Sequence, residues 1–476
     1  MTGAGFCERA GDFAAALTPA QVPARATERA RLQQLSMLAA RAAGEEDARP
    51  FAAVAPEGPL GELFRSAAAS IAHDWDDYLY MGHTGHSAVW AARAFAPDDD
   101  ERALVAQVAA NEVAGRLGAA LLLGPHNGQF WSSIHCASAA VAAGVGLGLD
   151  GERLGHALAI ALYQPPYGLW PGFMGPSTKL LTAAEPALQG ARAALLAAEG
   201  VDGPLGVVED RRGLLRHLSF APRPAMLGGL GRVWLTDTLA FKPHPGCAYL
   251  QAAVDAALRL GVDADDVAAV TVDAGYLTVG MERLGADAGL TSVGVGFSAA
   301  RSVAVALIAG RLTHLELRRE WLAEHARRVR ELARRVRVEH DWELTLRSAR
   351  GVVDAGASVR DVPAAAWPRV LRRMRELGMD EAALPLSELV ELGRRAPLRR
   401  ELRRLLRSGS GGGIDALDTG RLRMTFPCRL RVRLRSGRVV EVEGDEPGAS
   451  ARPIDEQRAV VEARARAVEL EAAAAS

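Results

Sequence analysis

Two lysines are the first candidates for chemistry in this chain of 476 residues. Lys179 and Lys242 are its only lysines, while the other 54 of its 56 strongly basic residues are arginine. Arginine stays charged and is rigidly forked, whereas lysine carries a compact charge whose pKa shifts on burial. If arginine has replaced lysine wherever a surface cation suffices, the two survivors are expected where a guanidinium cannot serve. Survival by chance is the alternative at this point.

A second candidate is the segment 73–87, whose sequence is HDWDDYLYMGHTGHS. It brings three carboxylates, including that of Asp74, close in sequence to three imidazoles, those of His73, His83 and His86. A carboxylate can hold a histidine in one tautomer and shift its pKa, so this composition is typical of proton transfer. The alternative is that these side chains cap helices or bind a divalent ion.

Three shorter segments carry one candidate each. His126 follows Gly124-Pro125 on a turn ahead of a helix rich in small residues, where the helix dipole favours the neutral imidazole. Lys179, in MGPSTKL, begins a predicted helix, where the dipole disfavours a cation, so an anion is expected beside it. Lys242, in FKPHPGC, lies on a connector fixed by two prolines, at the boundary between two parts of the chain.

The elements that must position these residues follow from the periodicity of the sequence. Up to about residue 233, alanine, leucine and arginine recur at helical spacing, which predicts a mainly helical body. From residue 266 onward, alternation and turn residues predict strands as well. The predicted elements there are a strand at Ala268–Asp273, a helix at Ser298–Arg311, a strand at Arg335–Leu346, a helical segment at Val353–Asp418, a hairpin within Arg423–Glu443 and a closing helix from Pro453.

Composition excludes several classes of protein. The formal net charge of -1 and the sequence pI near 6.9 provide no overall field for nucleic acid or an anionic membrane. Four widely separated cysteines indicate neither a metal site nor a disulfide framework, which favours a reduced, cytoplasmic protein. The longest apolar run, residues 137–149, is too short to span a bilayer. We therefore expect no nucleic-acid partner and no membrane segment. We also expect no cofactor.

Taken together, the order and spacing of these motifs resemble the MmgE/PrpD family, which includes 2-methylcitrate dehydratase, cis-aconitate decarboxylase and iminodisuccinate epimerase. The resemblance covers nearly the whole chain. It implies a mainly α fold: a large helical domain (1–238), a smaller α+β lid domain (239–450) with a helical insertion at about 353–418, and a C-terminal helix (451–476) that returns to the helical domain. It also implies a homodimer with a metal-independent active site between the domains. The matching motifs are DxDD at Asp74–Asp77, the His126 turn, Thr178-Lys179, FKxxP at Phe241–Pro245, Phe297-Ser298, the hairpin motif at Phe426–Arg438 and the helix after Pro453.

The resemblance assigns active-site roles to Asp74, His126, Lys179 and Lys242. Other positions depart from the family pattern. Gly85 aligns with the usual histidine of the HPS motif, so His83 or His86 would have to reach the site from a shifted position.

Three further departures concern substrate binding. Cys247 stands where cis-aconitate decarboxylase has a further histidine, and Arg301 aligns with its lid tyrosine and would provide a carboxylate clamp if it faces the cleft. Residues 181–184 also replace the usual LHPG. Methylcitrate and cis-aconitate are therefore not the expected substrates.

The chemistry shared by the family begins with removal of a proton α to a carboxylate, which requires a base, cations and an acid. In this interpretation, Lys179 and Lys242 hold the negative charge of the substrate carboxylate or enolate, and Asp74 orients or activates a base. His126, or one of His83 and His86, moves the proton. We favour a hydro-lyase that dehydrates a small hydroxy-carboxylic acid. The alternatives are an epimerase, in which Cys247 is a second proton carrier, a decarboxylase of a small di- or tricarboxylate, and a non-catalytic homologue.

Overall fold

The computed structural model describes residues 4–125, 132–357, 362–378, 384–408, 411–446 and 448–475. Its fold is mainly α-helical with a smaller α+β part, which confirms the predicted fold class. Along this described part, no helix combines the length and the apolar character needed to cross a membrane. The helices before residue 240 are α1 (Phe6–Ala16), α2 (Ala24–Ala52), α3 (Gly58–Ile71), α4 (Gly85–Phe95), α5 (Asp100–Leu121), α6 (Ser132–Gly146), α7 (Gly151–Tyr163), α8 (Trp170–Phe173), α9 (Leu181–Ala198) and α10 (Leu214–Leu218).

Small residues allow the helices of this body to pack closely. The buried residues of α6 are mostly alanine, serine and glycine, and those of α9 are mostly alanine. At Gly190, a Cβ atom would lie 2.2 Å from the carbonyl oxygen of Cys136, so the two helices approach with backbone almost in contact. Glycine is therefore required at this crossing, although it weakens a helix slightly.

The α+β part is built on a four-stranded sheet of β3 (Val267–Ala274), β4 (Val336–His340), β5 (Cys428–Leu434) and β6 (Val439–Gly444), in the order β4-β3-β5-β6. Strand β3 runs parallel to β4 and antiparallel to β5, while β5 and β6 form the predicted hairpin around Ser436-Gly437. Gly437 has a φ of +85°, which suits a tight hairpin turn. The helices of this part are α11 (Gln251–Leu260), α12 (Tyr276–Leu284), α13 (Ser292–Gly296), α14 (Ala299–Ala309), α15 (Arg319–Glu324), α16 (Ala326–Ala333) and α17 (Trp342–Val353).

The prediction of a single strand over Arg335–Leu346 is wrong in its second half. The strand ends at His340, and α17 begins two residues later. Asp341 causes the change, because its carboxylate accepts hydrogen bonds from the backbone N–H groups of Glu343 (2.7 Å) and Leu344 (3.3 Å). An aspartate in this position is a strong N-terminal helix cap.

The remaining described helices are α18 (Trp367–Glu376), α19 (Leu386–Arg394), α20 (Ala396–Arg407) and α21 (Ile454–Ala475). The first three lie in the segment 353–418. The closing helix α21 lies against α2, where Arg458 contacts Glu28 and Arg464 donates to Ser36 Oγ at 3.0 Å. The last helix of the chain thus packs against one of its first helices.

A short two-stranded sheet joins the two parts of the chain. Strand β1 (Asp77–Tyr78) pairs antiparallel with β2 (Ala240–Phe241). This pairing lays the segment that follows α3 beside the connector that leads into α11. The two segments richest in candidate functional residues are therefore adjacent in space.

We expect Gly190→Ala to destabilise the protein by about 1–3 kcal/mol, because the added methyl group forces α6 and α9 apart. Gly393→Ala is the matched control: Gly393 lies in α19, and a Cβ built there meets nothing within 4 Å. That change should leave the stability unaltered or raise it by up to about 1 kcal/mol. Urea unfolding followed by circular dichroism measures both. Equal effects of the two substitutions would contradict the close approach.

Candidate active site

Backbone pairing places the DxDD segment directly against the FKPHPGC segment. Beyond the β1–β2 pair, the N–H of Gly246 donates to the carbonyl of His73 at 2.9 Å. The indole of Trp75 donates to the carbonyl of Pro243 at 3.1 Å. The two segments therefore run side by side over their whole length, which fixes Asp74 and Lys242 relative to each other.

Lys179 forms a buried ion pair with Asp74. Its ammonium lies 2.7 Å from Asp74 Oδ1 and donates to the carbonyl of Ile71, at the C-terminal end of α3, at 2.8 Å. The carbonyl end of a helix favours a cation, and Lys179 is fully buried. The anion expected beside this lysine from the sequence is thus one of the protein's own carboxylates.

Asp74 contacts both lysines because its backbone adopts a left-handed conformation. Its φ is +52°, and no other non-glycine residue in the described part has a positive φ. The carboxylate is directed to Lys179, while its backbone carbonyl accepts a hydrogen bond from Lys242 Nζ at 2.9 Å. Such a backbone conformation is costly for most residues and often occurs at functional sites.

Lys242 is paired with a second buried carboxylate, that of Asp76. The ammonium donates to Asp76 Oδ1, and both side chains are almost fully buried. Burial opposes their charged forms, but their mutual attraction outweighs it. The pKa of Lys242 is raised by Asp76 and Asp74, and the pKa of Asp76 is held well below its usual value by Lys242 and His83. Both groups are therefore charged near neutral pH.

Asp76 also holds two histidines on its other oxygen. His83 Nδ1 and His86 Nε2 lie 2.7 and 3.0 Å from Asp76 Oδ2. His86 is completely buried, its Nδ1 is 2.9 Å from Ser70 Oγ, and burial lowers its pKa. His83 keeps 13% of its side chain exposed. The two histidines share one carboxylate but differ in access.

A cavity of about 390 Å³ adjoins these charged groups. Asp74, His83, Lys242 and Cys247 line it, together with residues of α8, α12 and α17 and of the segment before β5. Lys179 and His86 are not part of its lining. Of the two histidines predicted as alternatives, His83 is the one placed at the cavity.

The other predicted site residues have different surroundings. Burial raises the pKa of Cys247 to about 12, so its thiol is neutral and cannot serve as a base near pH 7. Arg301 donates to the carbonyls of Gly285, Ala286 and Gly294 and is absent from the cavity lining, so nothing supports a carboxylate clamp. His126 lies outside the described residues.

Sequence reasoning missed the roles of several carboxylates near the cavity. Asp76, rather than Asp74, holds His83 and His86, and the DxDD motif offers three carboxylates without indicating which one does so. Glu446 accepts hydrogen bonds from the hydroxyl of Tyr78 (2.9 Å) and the N–H of Phe426 (2.7 Å). Burial raises the pKa of Glu446 to about 8. No local motif marks Glu446, because its partners lie far away in sequence.

The last carboxylate of the motif, Asp77, faces away from the lysines into a polar cluster. Gln33 donates to Asp77 Oδ2 at 2.7 Å, and Asn111 and Gln107 donate in turn to Gln33. Burial and the charge of Asp76 raise the pKa of Asp77 to about 7. Asp76 and Asp77 are adjacent in sequence, but the pKa of Asp76 is lowered and that of Asp77 is raised.

Within the described ranges, no group of three or more histidine, cysteine, aspartate or glutamate side chains is arranged to hold a metal ion. The carboxylates of Asp74 and Asp76 are instead occupied by lysine and histidine. These carboxylates thus have partners within the protein itself.

Two family models together match more than half of the chain. The model of the MmgE/PrpD N-terminal domain matches residues 59–226, and that of the MmgE/PrpD C-terminal domain matches residues 244–359. Asp74, His83 and Lys179 lie within the first match, whereas Lys242 lies just before the second. A search of curated proteins finds no match.

We expect Lys179→Met to destabilise the protein by about 3–5 kcal/mol, because it leaves the Asp74 carboxylate buried without its cation. Adding Asp74→Asn should restore a large part of that loss, since no unpaired charge then remains. Arg431→Met is the control, because it breaks the partly exposed pair with Asp273 and should cost about 1 kcal/mol or less. Urea unfolding of the wild type, Lys179→Met, Asp74→Asn, the double variant and Arg431→Met measures the coupling energy between Lys179 and Asp74. Additive effects of the two substitutions would contradict the buried pair.

The raised pKa of Asp77 predicts that stability falls as the pH rises from about 4 to about 7. The folded protein keeps this carboxyl protonated up to about pH 7, whereas the unfolded chain loses the proton near pH 4. Asp77→Asn removes this contribution. Between pH 5 and 8, the variant should lose about 2 kcal/mol less stability than the wild type.

The control for this pH dependence is Asp263→Asn, at an exposed helix cap that asparagine also provides. Unfolding free energies measured at pH 5, 6, 7 and 8 give the slopes. A wild-type slope retained in Asp77→Asn would contradict the assignment.

Proposed function

Because the chain belongs to the MmgE/PrpD family, we propose that it is a hydro-lyase that removes water from a small hydroxy-carboxylic acid. The observation that carries this proposal is the juxtaposition of Lys242, Asp74 and His83 at one cavity. A permanent cation lies there beside a histidine that a buried carboxylate orients. These are the parts required for proton removal next to a carboxylate.

In the proposed mechanism, the substrate carboxylate binds beside Lys242. Removal of the α-proton places additional negative charge on that carboxylate, in an enolate-like intermediate. The ammonium stabilises this charge more strongly than that of the ground state, because the charge grows and Lys242 is buried. The pair with Asp76 keeps Lys242 protonated for this purpose.

His83 is the proposed base. Asp76 is ionised and accepts the Nδ1–H of His83, which leaves the lone pair of Nε2 able to take a proton. The C–H electron pair passes into the enolate, and its collapse expels the β-hydroxyl group. The protonated His83 returns its proton to this leaving group. The products are therefore an unsaturated acid and water, and the histidine ends as it began.

Asp74 and Lys179 have a positioning role in this scheme. The Asp74 carbonyl holds Lys242, and its carboxylate is fixed in turn by Lys179 at 2.7 Å. Lys179 does not line the cavity, so its direct contact with substrate charge, expected from the sequence, has no support in this geometry. The role of His126 as a proton carrier stays a prediction, as do the homodimer and the cytoplasmic location.

An epimerase would begin with the same removal of a proton, and a decarboxylase would use the same cation, Lys242. An epimerase needs a second proton carrier on the opposite face of the substrate. Cys247 lines the cavity, but its neutral thiol can donate a proton and not accept one near pH 7. A neutral thiol could supply the returning proton of an epimerisation that begins at His83, so epimerisation stays the alternative. We favour elimination because it needs only one histidine at the cavity, which carries the proton in both directions.

Proton NMR in deuterium oxide with a panel of hydroxy-, amino- and unsaturated carboxylic acids tests the proposal. We expect vinyl signals to appear from a hydroxy acid, or to disappear from an unsaturated acid in the reverse reaction. Exchange of the α-proton without elimination would replace the proposal with an epimerase, and release of carbon dioxide would replace it with a decarboxylase. No reaction across the panel would favour a non-catalytic homologue.

Lys242→Met and His83→Gln should each lower kcat/KM for the identified substrate by about 100-fold or more. His217→Gln is the control, since His217 is exposed on α10, and it should retain full activity. Thermal unfolding of each variant separates lost chemistry from lost folding. A folded His83→Gln variant with the wild-type rate would refute the role of His83.

A further inference from the structure

The cavity has one charged corner and a largely apolar remainder. Lys242 is the only lysine or arginine in its described lining. Apart from Asp74, His83 and Lys242, the polar side chains of this lining are neutral hydroxyl, indole and thiol groups. The larger apolar and aromatic side chains around it include Trp170, Phe173, Met281, Phe297, Met424 and Phe426.

Two other cations of the described residues, Lys179 and Arg301, do not line the cavity. The Lys179 ammonium is paired with Asp74 and lies 5.7 Å from the ring centres of both Phe173 and Phe297, which line the cavity in its place. Arg301 donates to three backbone carbonyls. Within the described lining, a second substrate carboxylate would therefore lose its water without gaining a second lysine or arginine as a partner, and such a burial is strongly unfavourable.

Helix α17 shows the same division on a single element. Thr345, Ser348, Ala349 and Val352 line the cavity, whereas Arg347 and Arg350 line a separate cleft of about 700 Å³. The helix thus presents small and apolar side chains to the cavity and its arginines elsewhere. An arginine at position 348 or 349 of this helix would instead have lined the cavity and supplied the clamp that a di- or tricarboxylate needs.

We propose that the substrate carries a single carboxylate, held by Lys242, and an uncharged apolar body that fills the rest of the cavity. This inference rests on the proposed function for the reacting groups but specifies the substrate class. Each methylene buried against these walls adds about fourfold in affinity. A terminal carboxylate at the same place removes that gain and adds an unpaired charge.

The test is a series of 3-hydroxy acids from four to eight carbons, each compared with the diacid in which the terminal methyl group is a carboxylate. Isothermal titration with the wild-type protein measures binding, and NMR measures turnover separately. We expect affinity to rise about fourfold per methylene until the cavity is full, and each diacid to bind at least about tenfold more weakly. Diacids or citrate that bind more tightly than the matched monoacids would overturn the proposal.

Separate measurement of binding and turnover distinguishes the two proposals. Monoacids that bind with the expected trend but undergo no elimination would leave the substrate class standing and sink the hydro-lyase. Elimination from a diacid, with weak binding of the monoacids, would do the reverse.

Ala349→Phe locates the apolar end of the substrate. The added ring occupies part of the cavity, so the seven- and eight-carbon acids should bind at least about tenfold more weakly, while the four-carbon acid binds as before. Arg347→Gln, on the same helix but lining the other cleft, should change neither. Unchanged binding of the long acids to a folded Ala349→Phe variant would overturn the assignment of this wall. Thermal unfolding establishes that each variant is folded.

Discussion

The neutralisation of two buried aspartates by two buried lysines is the constraint on which the candidate site depends. Each of these charges would be strongly unfavourable alone in the interior. The four charges neutralise one another in two pairs, Asp74 with Lys179 and Asp76 with Lys242. The backbone carbonyls of Ile71 and Asp74 accept further hydrogen bonds from the two lysines. The arrangement requires α3, the turn before α9 and the β1–β2 pair to meet at one point. The fold can therefore be understood as the framework that brings four charges together.

The two ion pairs have different chemical consequences. In the first pair, Lys179 lies behind the rings of Phe173 and Phe297, and its contact with Asp74 fixes the left-handed turn there. The second opens onto the cavity and leaves one Asp76 oxygen to orient His83. Arg464 extends this arrangement from the far end of the chain, since it donates to the carbonyl of Trp75 and its guanidinium lies 5.2 Å from the ring centre of that residue. The closing helix thus supports the segment that carries the chemistry.

Much of this arrangement could be predicted from the sequence, because it rests on local patterns. Helical periodicity indicated the body, alternation indicated β3 and the hairpin, and the scarcity of lysine singled out Lys179 and Lys242. Periodicity could not separate β4 from α17, where one aspartate cap decides the boundary. Nor could it identify Asp76 as the partner of the histidines, since DxDD offers three carboxylates and only tertiary packing decides where each one points. The roles of Glu446 and Arg464 were beyond sequence reasoning for a different reason: their partners, Tyr78 and Trp75, are hundreds of residues away, and neither residue belongs to a local motif.

Burial of both lysines determines how the folded protein meets reagents in solution. Every side-chain primary amine of the chain belongs to Lys179 or Lys242, and these are 0% and 1% exposed. Reagents that acylate amines therefore have no accessible lysine while the two ion pairs are intact. Acylation of either lysine would require these charges to separate and reach solvent, so lysine labelling reports directly on opening of the protein around its candidate site.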